Sequence, residues 1–371
     1  MSEIKVSKLT NRAGTGAPDF SQGVKISGTA STLLAPTRTE SATEPTSPSN
    51  GDTWYDTDND YYDIYINDEW KRYIGESTGS SYGWGGDKGY YLRGTDFANT
   101  ISISTPANAT SVSITRSFSQ QHAAAAGNGT KIVFAGGSTH DDCLVLTSAT
   151  AAVSSVTSSL TFSHIRYHGA CSNGTYMTIM AGRTYAANPD NQTQYLTIDS
   201  FSSATNGGDL TVARTYPACV GDATYGVCGG GYASATLDTM DYVTVATTSA
   251  ATDFGDMTTG HRTLAGADDT TRGLFAGGIQ GNGTSYGDII EYITTATPSN
   301  GTDFGDLSLG RYGCKGVSDG TYAVFMAGYK SGGTANNIDY VTIQTTGNAT
   351  DFGDITDSIQ QYGSAGAGAA A

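Results

Sequence analysis

The chain has 371 residues, a net charge of −16 and 49 glycines, with 23 tyrosines and only 19 lysines and arginines. This composition is typical of a turn-rich β protein rather than a helical one. Such an acidic surface repels phosphate backbones, so nucleic acid is not an expected partner. The sequence has no run of 18 apolar residues and no apolar segment near its first residue, so we predict neither membrane insertion nor a secretory signal.

The first 74 residues divide into three segments by composition. Residues 1–30 contain short apolar alternations, and residues 31–50 are rich in proline, serine and threonine. The second composition is typical of a linker. Residues 51–74 alternate aromatic and β-branched runs with Asp and Asn clusters, which predicts a small β-hairpin or three-stranded module.

From residue 75 onwards the chain repeats itself about every 48 residues. A first marker of the repeat is a long polar side chain at Gln121, Arg166, Arg214, Arg262, Arg311 and Gln361. A second marker is a short hydrophobic-to-glycine segment at 134–137, 180–182, 228–230, 275–278 and 326–328. A period of this size indicates stacked supersecondary units.

A single unit, residues 262–310, reads as four strands. The first two, at 263–267 and 273–276, are runs of small and apolar residues joined by a polar turn. A third, at 290–294, alternates with the period of two that a strand requires. The fourth follows near 303–309, just before the next marker arginine.

The turns and glycines of the repeat carry a resemblance to a known fold. Turns between first and second strands hold Asn128-Gly129, Asn173-Gly174 and Asp319-Gly320, which suit hairpins needing positive φ. Four antiparallel strands per unit, with Gly-Gly after the second, resemble a kelch-type β-propeller blade. Tyrosine stands where a kelch repeat has tryptophan. The resemblance implies an all-β propeller over residues 75–371.

The two ends of the repeat region complete one another. Residues 108–122 align without a gap on 348–362, an offset of 240 or five periods of 48. Residues 81–120 therefore hold a unit without its first strand, and the tail at 362–371 is a first strand without its unit. We expect the tail to pair with residues 81–86. This pairing closes a six-bladed β-propeller and hides its sheet edges.

We find no catalytic constellation and predict a protein that is not an enzyme and has no cofactor. Asp-Phe-Gly-Asp at 253–256, 303–306 and 351–354 matches the kinase magnesium motif, but three copies at the repeat period predict a strand start. The five histidines lie near no serine or cysteine partner that would form a nucleophilic pair. A glycosidase carboxylate pair, whose members are far apart in sequence, stays open.

Neither a metal site nor a redox site is predicted. The spacing of Asp56, Asp58 and Asp60 resembles the start of a calcium-binding loop, but the Gly and Glu that an EF-hand requires later in the loop are absent from this sequence. A solvated hairpin turn is the prediction, and adventitious calcium is the alternative. Cys171 and Cys219 each fall five residues after a marker arginine, which predicts small buried strand residues.

The marker arginines and the longest loops are candidates for binding. Four arginines at one repeat position predict a structural bond to the neighbouring unit, with a carboxylate-binding cluster as the alternative. The loops between second and third strands combine tyrosine with amides and carboxylates, a mixture that suits sugar recognition; ordinary solvated loops are the alternative. The predicted receptor-face residues are Tyr185, Asn188, Asp190, Tyr232, Asn282, Tyr286 and Tyr329.

Two amino-terminal segments resemble proteins of tailed bacteriophages. Residues 1–20 are similar to the start of tail-fibre and other appendage proteins, and Gly-Asp-Thr-Trp-Tyr-Asp-Thr-Asp-Asn-Asp at 51–60 resembles a short β module of the same proteins. The resemblance implies a virion protein, assembled in the host cytoplasm, that docks on other virion proteins through residues 1–30. The expected attachment residues are Ile4, Val6, Leu9 and Phe20.

Together these features predict a structural virion protein of a tailed phage, a tail fibre whose propeller recognises a host-surface glycan or protein. Weak binding at each site would be strengthened by many copies on one particle. A capsid or collar decoration protein without a receptor role is one alternative, and a glycan depolymerase is another. The resemblance also implies a homotrimer, since fibres of this kind are often trimers.

Overall fold

The computed structural model is an all-β structure with two compact units, residues 1–79 and 80–371. None of the segments that it describes is a helix, so none contains a helix able to cross a membrane. The described residues are 38–41, 45–48, 52–56, 61–66, 69–73, 87–93, 97–114, 122–137, 141–148, 150–156, 160–161, 166–183, 189–200, 203–281, 285–356 and 364–368.

The first unit contains one four-stranded sheet. Its strands are β1 Arg38–Ser41, β2 Thr53–Asp56, β3 Tyr61–Ile66 and β4 Glu69–Tyr73. Strands β2, β3 and β4 are antiparallel neighbours within residues 51–74, the segment predicted as a small β module. Strand β1 lies in the segment predicted as a linker and adds to β2 in parallel. An edge strand is held by backbone hydrogen bonds to its neighbour. Its side chains can therefore be polar, and the sequence shows no apolar alternation that would predict the strand.

The second unit contains the repeat. Its strands are β5 Lys88–Arg93, β6 Phe97–Ser102, β7 Thr110–Ser113, β8 Ala124–Gly127, β9 Lys131–Ala135, β10 Cys143–Thr147, β11 Ala152–Val156, β12 Gly169–Ser172, β13 Tyr176–Gly182, β14 Asp190–Thr197, β15 Thr205–Asn206, β16 Ala218–Gly221, β17 Tyr225–Gly229, β18 Thr239–Thr244, β19 Thr252–Asp256, β20 His261–Arg262, β21 Ala265–Asp268, β22 Arg272–Ala276, β23 Ile279–Gln280, β24 Ser285–Tyr286, β25 Ile289–Thr294, β26 Thr302–Asp306, β27 Lys315–Ser318, β28 Tyr322–Met326, β29 Tyr329–Lys330, β30 Gly333–Thr334, β31 Asn337–Thr342, β32 Thr350–Asp354 and β33 Ser364–Gly368.

Most of these strands form six antiparallel four-stranded sheets, whose strands we call first to fourth in the order given. Sheet 1 is β33-β5-β6-β7, sheet 2 is β8-β9-β10-β11, sheet 3 is β12-β13-β14-β15, sheet 4 is β16-β17-β18-β19, sheet 5 is β21-β22-β25-β26 and sheet 6 is β27-β28-β31-β32. The short strands β20, β23 and β24 form a small extra sheet, and β29 pairs with β30.

The predicted hairpin turns join the first strands to the second strands. Gly129, Gly174 and Gly320 have φ values of 91°, 82° and 86°, which glycine adopts without steric cost. The side-chain oxygen of Asn128 accepts hydrogen bonds from the backbone amides of Thr130 and Lys131. Each turn is therefore specified by a local asparagine or aspartate together with its glycine.

The six sheets contact one another in a cyclic order. The first strands touch in the sequence β33, β8, β12, β16, β21, β27 and again β33. One apolar cluster lies between each pair of neighbouring sheets. In the cluster between sheets 6 and 1, Val324 and Met326 share a core with Tyr91 and Ile101. Each sheet is therefore buried on both faces, which explains apolar runs such as residues 143–146.

The carboxyl-terminal tail completes sheet 1, but not with the predicted partner. Strand β33 pairs antiparallel with β5, in a register that sets Ser364 opposite Leu92. The predicted partner at 81–86 is wrong, and those residues lie outside the described segments. Strand β5 supplies Tyr90, Tyr91 and Leu92, each at most 2% exposed, to the clusters on both faces of sheet 1. Glycine-rich 81–86 has less apolar surface to bury.

A repeated hydrogen bond also joins sheet 6 to sheet 1. Asn108 Oδ1 accepts from the Asp354 amide at 3.0 Å, and Asn348 Oδ1 accepts from the Asp306 amide at 3.1 Å between sheets 6 and 5. Asn108 and Asn348 are 240 positions apart, the offset at which the sequence aligns with itself. The contact between the two ends of the repeat region thus has the same form as a contact within it.

Candidate functional site

The connectors that enter the first strands share an unusual backbone. His122, Tyr167, Tyr216, Thr263 and Gly313 occupy equivalent positions and have φ values between 58° and 69°. Each amide donates to the carbonyl of the preceding member, at 2.7 Å between Tyr216 N and Tyr167 O and at 2.9 Å between Thr263 N and Tyr216 O. We call these five residues and their four backbone hydrogen bonds the collar.

The collar holds its residues in a strained conformation. Left-handed backbone costs a residue other than glycine about 1–3 kcal/mol. Thr263, with φ of 60°, is the least suited because its side chain is β-branched. The hydrogen bonds between connectors keep these residues in place. Strain of this kind is concentrated at binding sites, so the collar directs attention to the space that it surrounds.

The collar lines a pocket of about 320 Å³, which we call the collar pocket. This volume lies at the lower end of the range for small-molecule sites, about 300–1,000 Å³. The walls come from the connectors into sheets 2 to 6, so one ligand would contact several repeats. The lining residues are His122, Ala123, Tyr167, His168, Tyr216, Pro217, Arg262, Thr263, Leu264, Ile279, Tyr312 and Lys315.

Aromatic rings provide much of the pocket wall. The His122 and Tyr216 rings both pack against Tyr167, with ring centroids 4.3 Å apart in each pair. Tyr312 contacts the rings of Tyr286 and Tyr329, at 5.0 and 5.5 Å. Tyrosine combines a flat apolar ring with a polar hydroxyl, so these walls suit a ligand that has both kinds of surface.

Arg262 and Lys315 bring positive charge to the pocket. The Arg262 guanidinium lies 4.5 Å from the centroid of the Tyr232 ring, a cation–π contact worth about 0.5–1 kcal/mol at an exposed site. Lys315 is half-buried at the start of β27, and burial lowers the pKa of its ammonium. No ion pair of either cation is found among the described residues, and none of the residues lining the pocket is acidic.

The two histidines of the pocket add no charge at neutral pH. Burial, together with the nearby charges of Lys315 and Arg166, lowers the pKa of His122 to about 4. Burial likewise lowers the pKa of His168 to about 4, and its Nε2 accepts a hydrogen bond from the Ala124 amide at 3.1 Å. The positive charge of the lining at pH 7 therefore comes from Arg262 and Lys315.

Two other marker arginines are locked in buried ion pairs. Arg214 Nη2 lies 2.5 Å from Asp241 Oδ2, and Arg311 Nη1 lies 2.9 Å from Asp339 Oδ2, with all four side chains fully buried. The backbone of each arginine belongs to the connector that leaves one sheet, and its side chain reaches the third strand of the next. At these two positions the arginine makes the predicted bond to the neighbouring unit.

Arg262 does not occupy the position of Arg214 and Arg311. It lies one residue before its collar residue, whereas they lie two residues before theirs, and the residue of the sheet 5 connector at their position is the buried His261. The residue of sheet 5 equivalent to Asp241 and Asp339 is Glu291, as the strand registers show. Glu291 Oε1 accepts a hydrogen bond from the Thr258 amide at 2.8 Å, whereas Oε2 is buried without a partner among the described residues. Burial raises the pKa of the Glu291 carboxyl to about 7. Because a histidine stands where the other two connectors have a buried arginine, Glu291 has no guanidinium partner among the described residues, and Arg262 lines the collar pocket.

Three of the predicted receptor-face tyrosines adjoin the collar pocket: Tyr232 through Arg262, and Tyr286 and Tyr329 through Tyr312. Asp190 differs from the prediction, because it is only 6% exposed and its carboxylate accepts from a nearby backbone amide at the start of β14. The other predicted residues lie outside the described segments: Tyr185, Asn188 and Asn282 in the loops, and Ile4, Val6, Leu9 and Phe20 in the attachment segment.

The remaining sequence motifs form no catalytic or metal-binding group among the described residues. The three Asp-Phe-Gly-Asp copies lie in β19, β26 and β32, so they belong to strands as predicted, and their phenylalanines are buried. All five cysteines lie in the described segments, where they are buried and form no disulfide. Asp56 ends β2, whereas Asp58 and Asp60 are not described. Among the described side chains no group of three or more His, Cys, Asp or Glu could hold a metal ion.

The sequence interpretation overlooked most of the pocket. His122, Tyr167, Tyr216 and Lys315 received no role, because each was assessed alone rather than by its place in the repeat. A usable signal was present: an aromatic or histidine ring directly follows four of the six marker residues and lies two positions after a fifth. A ring that recurs beside a left-handed backbone position in successive units predicts that these rings line a shared site.

No protein-family model matches the chain. No curated protein matches it either.

Proposed function

We propose that residues 80–371 form a six-bladed β-propeller in which each four-stranded sheet is one blade. Three observations support this architecture: the cyclic contacts of the first strands, the apolar cluster between each pair of neighbours, and the pairing of the tail with β5. A closed ring leaves no first strand exposed as an edge. It also places the collar around the propeller axis.

We propose further that the protein is a structural virion component of a tailed phage, a tail fibre whose propeller recognises a glycan on the host surface. The resemblance of residues 1–20 and 51–60 to phage appendage proteins supports the virion assignment. Residues 1–30 would bind other virion proteins. Several copies on one particle would turn weak individual contacts into firm attachment.

The location of the collar pocket is the observation that carries the receptor role. First strands begin at the collar, and the antiparallel order returns the second strands to the same end of each sheet. The connectors and the variable loops after the second strands therefore emerge on one face. Tyr232, Tyr286 and Tyr329 come from those loops and contact pocket residues. Loops and pocket together form one surface rich in tyrosine and polar groups.

Glycan binding by the full-length protein tests the receptor role. We expect an array of host-surface glycans to show binding that Tyr286→Ala weakens. Tyr225→Ala is the matched control, because Tyr225 also makes a single tyrosine contact but follows the turn at the opposite end of its sheet. Failure to bind host glycans and host cells would contradict the receptor role and favour a decoration protein.

Two further assays separate the alternatives. We expect no release of reducing sugar from host polysaccharide; release would instead indicate a depolymerase. Removal of residues 1–30 should abolish incorporation into particles while leaving glycan binding intact. Normal incorporation of the shortened protein would contradict the attachment role.

A further inference from the structure

We propose that the collar pocket binds the carboxylate of an acidic sugar, with Arg262 and Lys315 as its cationic contacts and the collar tyrosines as the wall against which the sugar ring packs. This inference rests on the proposed receptor function. It specifies the charge class of the glycan and the residues that select it.

The first step is the contrast between the pocket and the rest of the chain. The protein has 35 acidic residues against 19 lysines and arginines, yet the described lining of this pocket holds two cations and no carboxylate. Removing a lysine from water costs free energy unless a counter-charge is supplied. Lys315 has no such partner among the described residues, so the pocket is prepared for an anion that the protein does not provide.

The second step is the position of Arg262. It lies one residue before the collar, at the position that Thr215 and Tyr312 have in their connectors, and not at the buried position of Arg214 and Arg311. Its guanidinium therefore lines the collar pocket and has no ion pair among the described residues. A guanidinium offers a planar fork of donors that matches a carboxylate. Its placement at the pocket, held over the Tyr232 ring, supplies that fork where the lining is concave.

The third step concerns the remainder of the ligand. Tyr167 and Tyr216 pack together beside the two cations, and an aromatic face packs well against the C–H face of a sugar ring. The neutral imidazole of His122 and the Thr263 hydroxyl can exchange hydrogen bonds with sugar hydroxyls. A simple inorganic anion would use the cations alone and leave this wall without a function.

Isothermal titration of the full-length protein with trigalacturonic acid and with its fully methyl-esterified form tests the proposal. The two ligands share a sugar backbone and differ in charge. We expect the acid to bind at least tenfold more tightly than the ester. Raising sodium chloride from 50 to 300 mM should weaken the binding of the acid and leave the binding of the ester unchanged. Equal affinity for the two ligands, or binding of neither, would overturn the proposal.

Variants assign the binding to the pocket. Lys315→Met and Arg262→Met should each weaken trigalacturonate binding by about tenfold to a hundredfold, the usual loss of a hydrogen bond to a charged group. Lys131→Met is the control, because it removes one positive charge from the opposite hairpin end, where Lys131 pairs with Asp199. Unchanged binding in both pocket variants, or an equal loss in the control, would place the site elsewhere and overturn the assignment.

The melting temperature of each variant separates binding from folding. We expect Lys315→Met to melt no lower than the parent, because it removes a half-buried cation without a partner. If it unfolds, Arg262→Met gives the same test. Competition by malonate at equal concentration would assign the pocket to small free anions and overturn the sugar part. A glycan array that shows only neutral ligands, unaffected by these variants, would overturn this inference and leave the receptor function standing.

Discussion

The interfaces before sheets 4 and 6 differ from the interface before sheet 5 in the residue that lies two positions before the collar. In the first two this residue is an arginine, fully buried against Asp241 or Asp339. Before sheet 5 it is His261, so Glu291 has no such counter-charge, while Arg262, one position later, lies over a tyrosine at the pocket. A shift of one position along the connector therefore decides whether an arginine stabilises the fold or faces a ligand.

The interface before sheet 3 shows what happens when the acid is absent. There the equivalent third-strand residue is Gln194, whose Oε1 accepts a hydrogen bond from the Thr161 amide. Arg166 is half-buried and lies 5.4 Å from the centroid of the Tyr167 ring. Arg166 and Arg262 both lie one position before the collar, and neither has an ion pair among the described residues. The two buried arginines lie two positions before the collar, and each faces an aspartate on the third strand.

The largest effect is expected where the comparison predicts a locked pair. Asp241→Asn leaves the fully buried Arg214 without its counter-charge, which costs about 3–5 kcal/mol. The free energy of unfolding from urea denaturation should fall by that amount. Asp199→Asn is the control, because its exposed pair with Lys131 is worth at most about 1 kcal/mol. Similar small losses in both variants would show that the buried pair is not a structural lock.

A smaller effect is expected at the glycine that faces the Arg262 connector. Gly278 has φ of 99°, and an added Cβ would lie 2.8 Å from the Arg262 carbonyl oxygen. Gly278→Ala should therefore cost about 1–3 kcal/mol in unfolding free energy. Gly281→Ala is the control, because Gly281 has φ of 52° and open space around it. Equal losses at the two positions would mean that the close contact with the connector does not matter.

The smallest effect is a gain in stability at Glu291. Its folded pKa of about 7 lies above the ordinary value of 4.5, so its contribution is fully present below pH 4.5 and is lost as the pH rises through 7. Glu291→Gln imitates the protonated form and can still accept from the Thr258 amide. We expect it to stabilise the protein by about 1–2 kcal/mol at pH 8 and by little at pH 4.5.

Thermal melting of the parent and the Glu291→Gln variant between pH 4.5 and pH 8 measures this difference. Glu40→Gln changes the same charge in the first unit and serves as the control. A variant that is less stable at pH 8 than the parent would show that Glu291 has a counter-charge after all.

The repeat made much of the fold predictable from the sequence. The hairpin turns with Asn-Gly or Asp-Gly, the Asp-Phe-Gly-Asp strands and the addition of the tail to the incomplete repeat all follow from local chemistry and from the 240-residue offset. The predicted partner of the tail, residues 81–86, was wrong because the large apolar side chains of this repeat lie later, at residues 90–92. Burial of large side chains, rather than the glycine marker, decides which strand enters the core.

The collar pocket was not predictable to the same degree. Its residues are single positions on separate connectors, and only the cyclic contact of the first strands brings them together. Left-handed conformations at tyrosine and threonine oppose local propensity, so no turn signal marks them. Arg262 reaches the pocket because it lies one residue nearer to the collar than Arg214 and Arg311 do, a difference that is hidden when the arginines are aligned at one repeat position.

Pairing of the two ends of the repeat region underlies both the proposed propeller and the collar pocket, and amide hydrogen exchange tests this pairing most directly. We expect residues 88–92 to be protected in the full chain and to lose protection when residues 363–371 are removed, with a marked fall in melting temperature. Unchanged protection and an unchanged melting temperature in the shortened protein would contradict a closed ring.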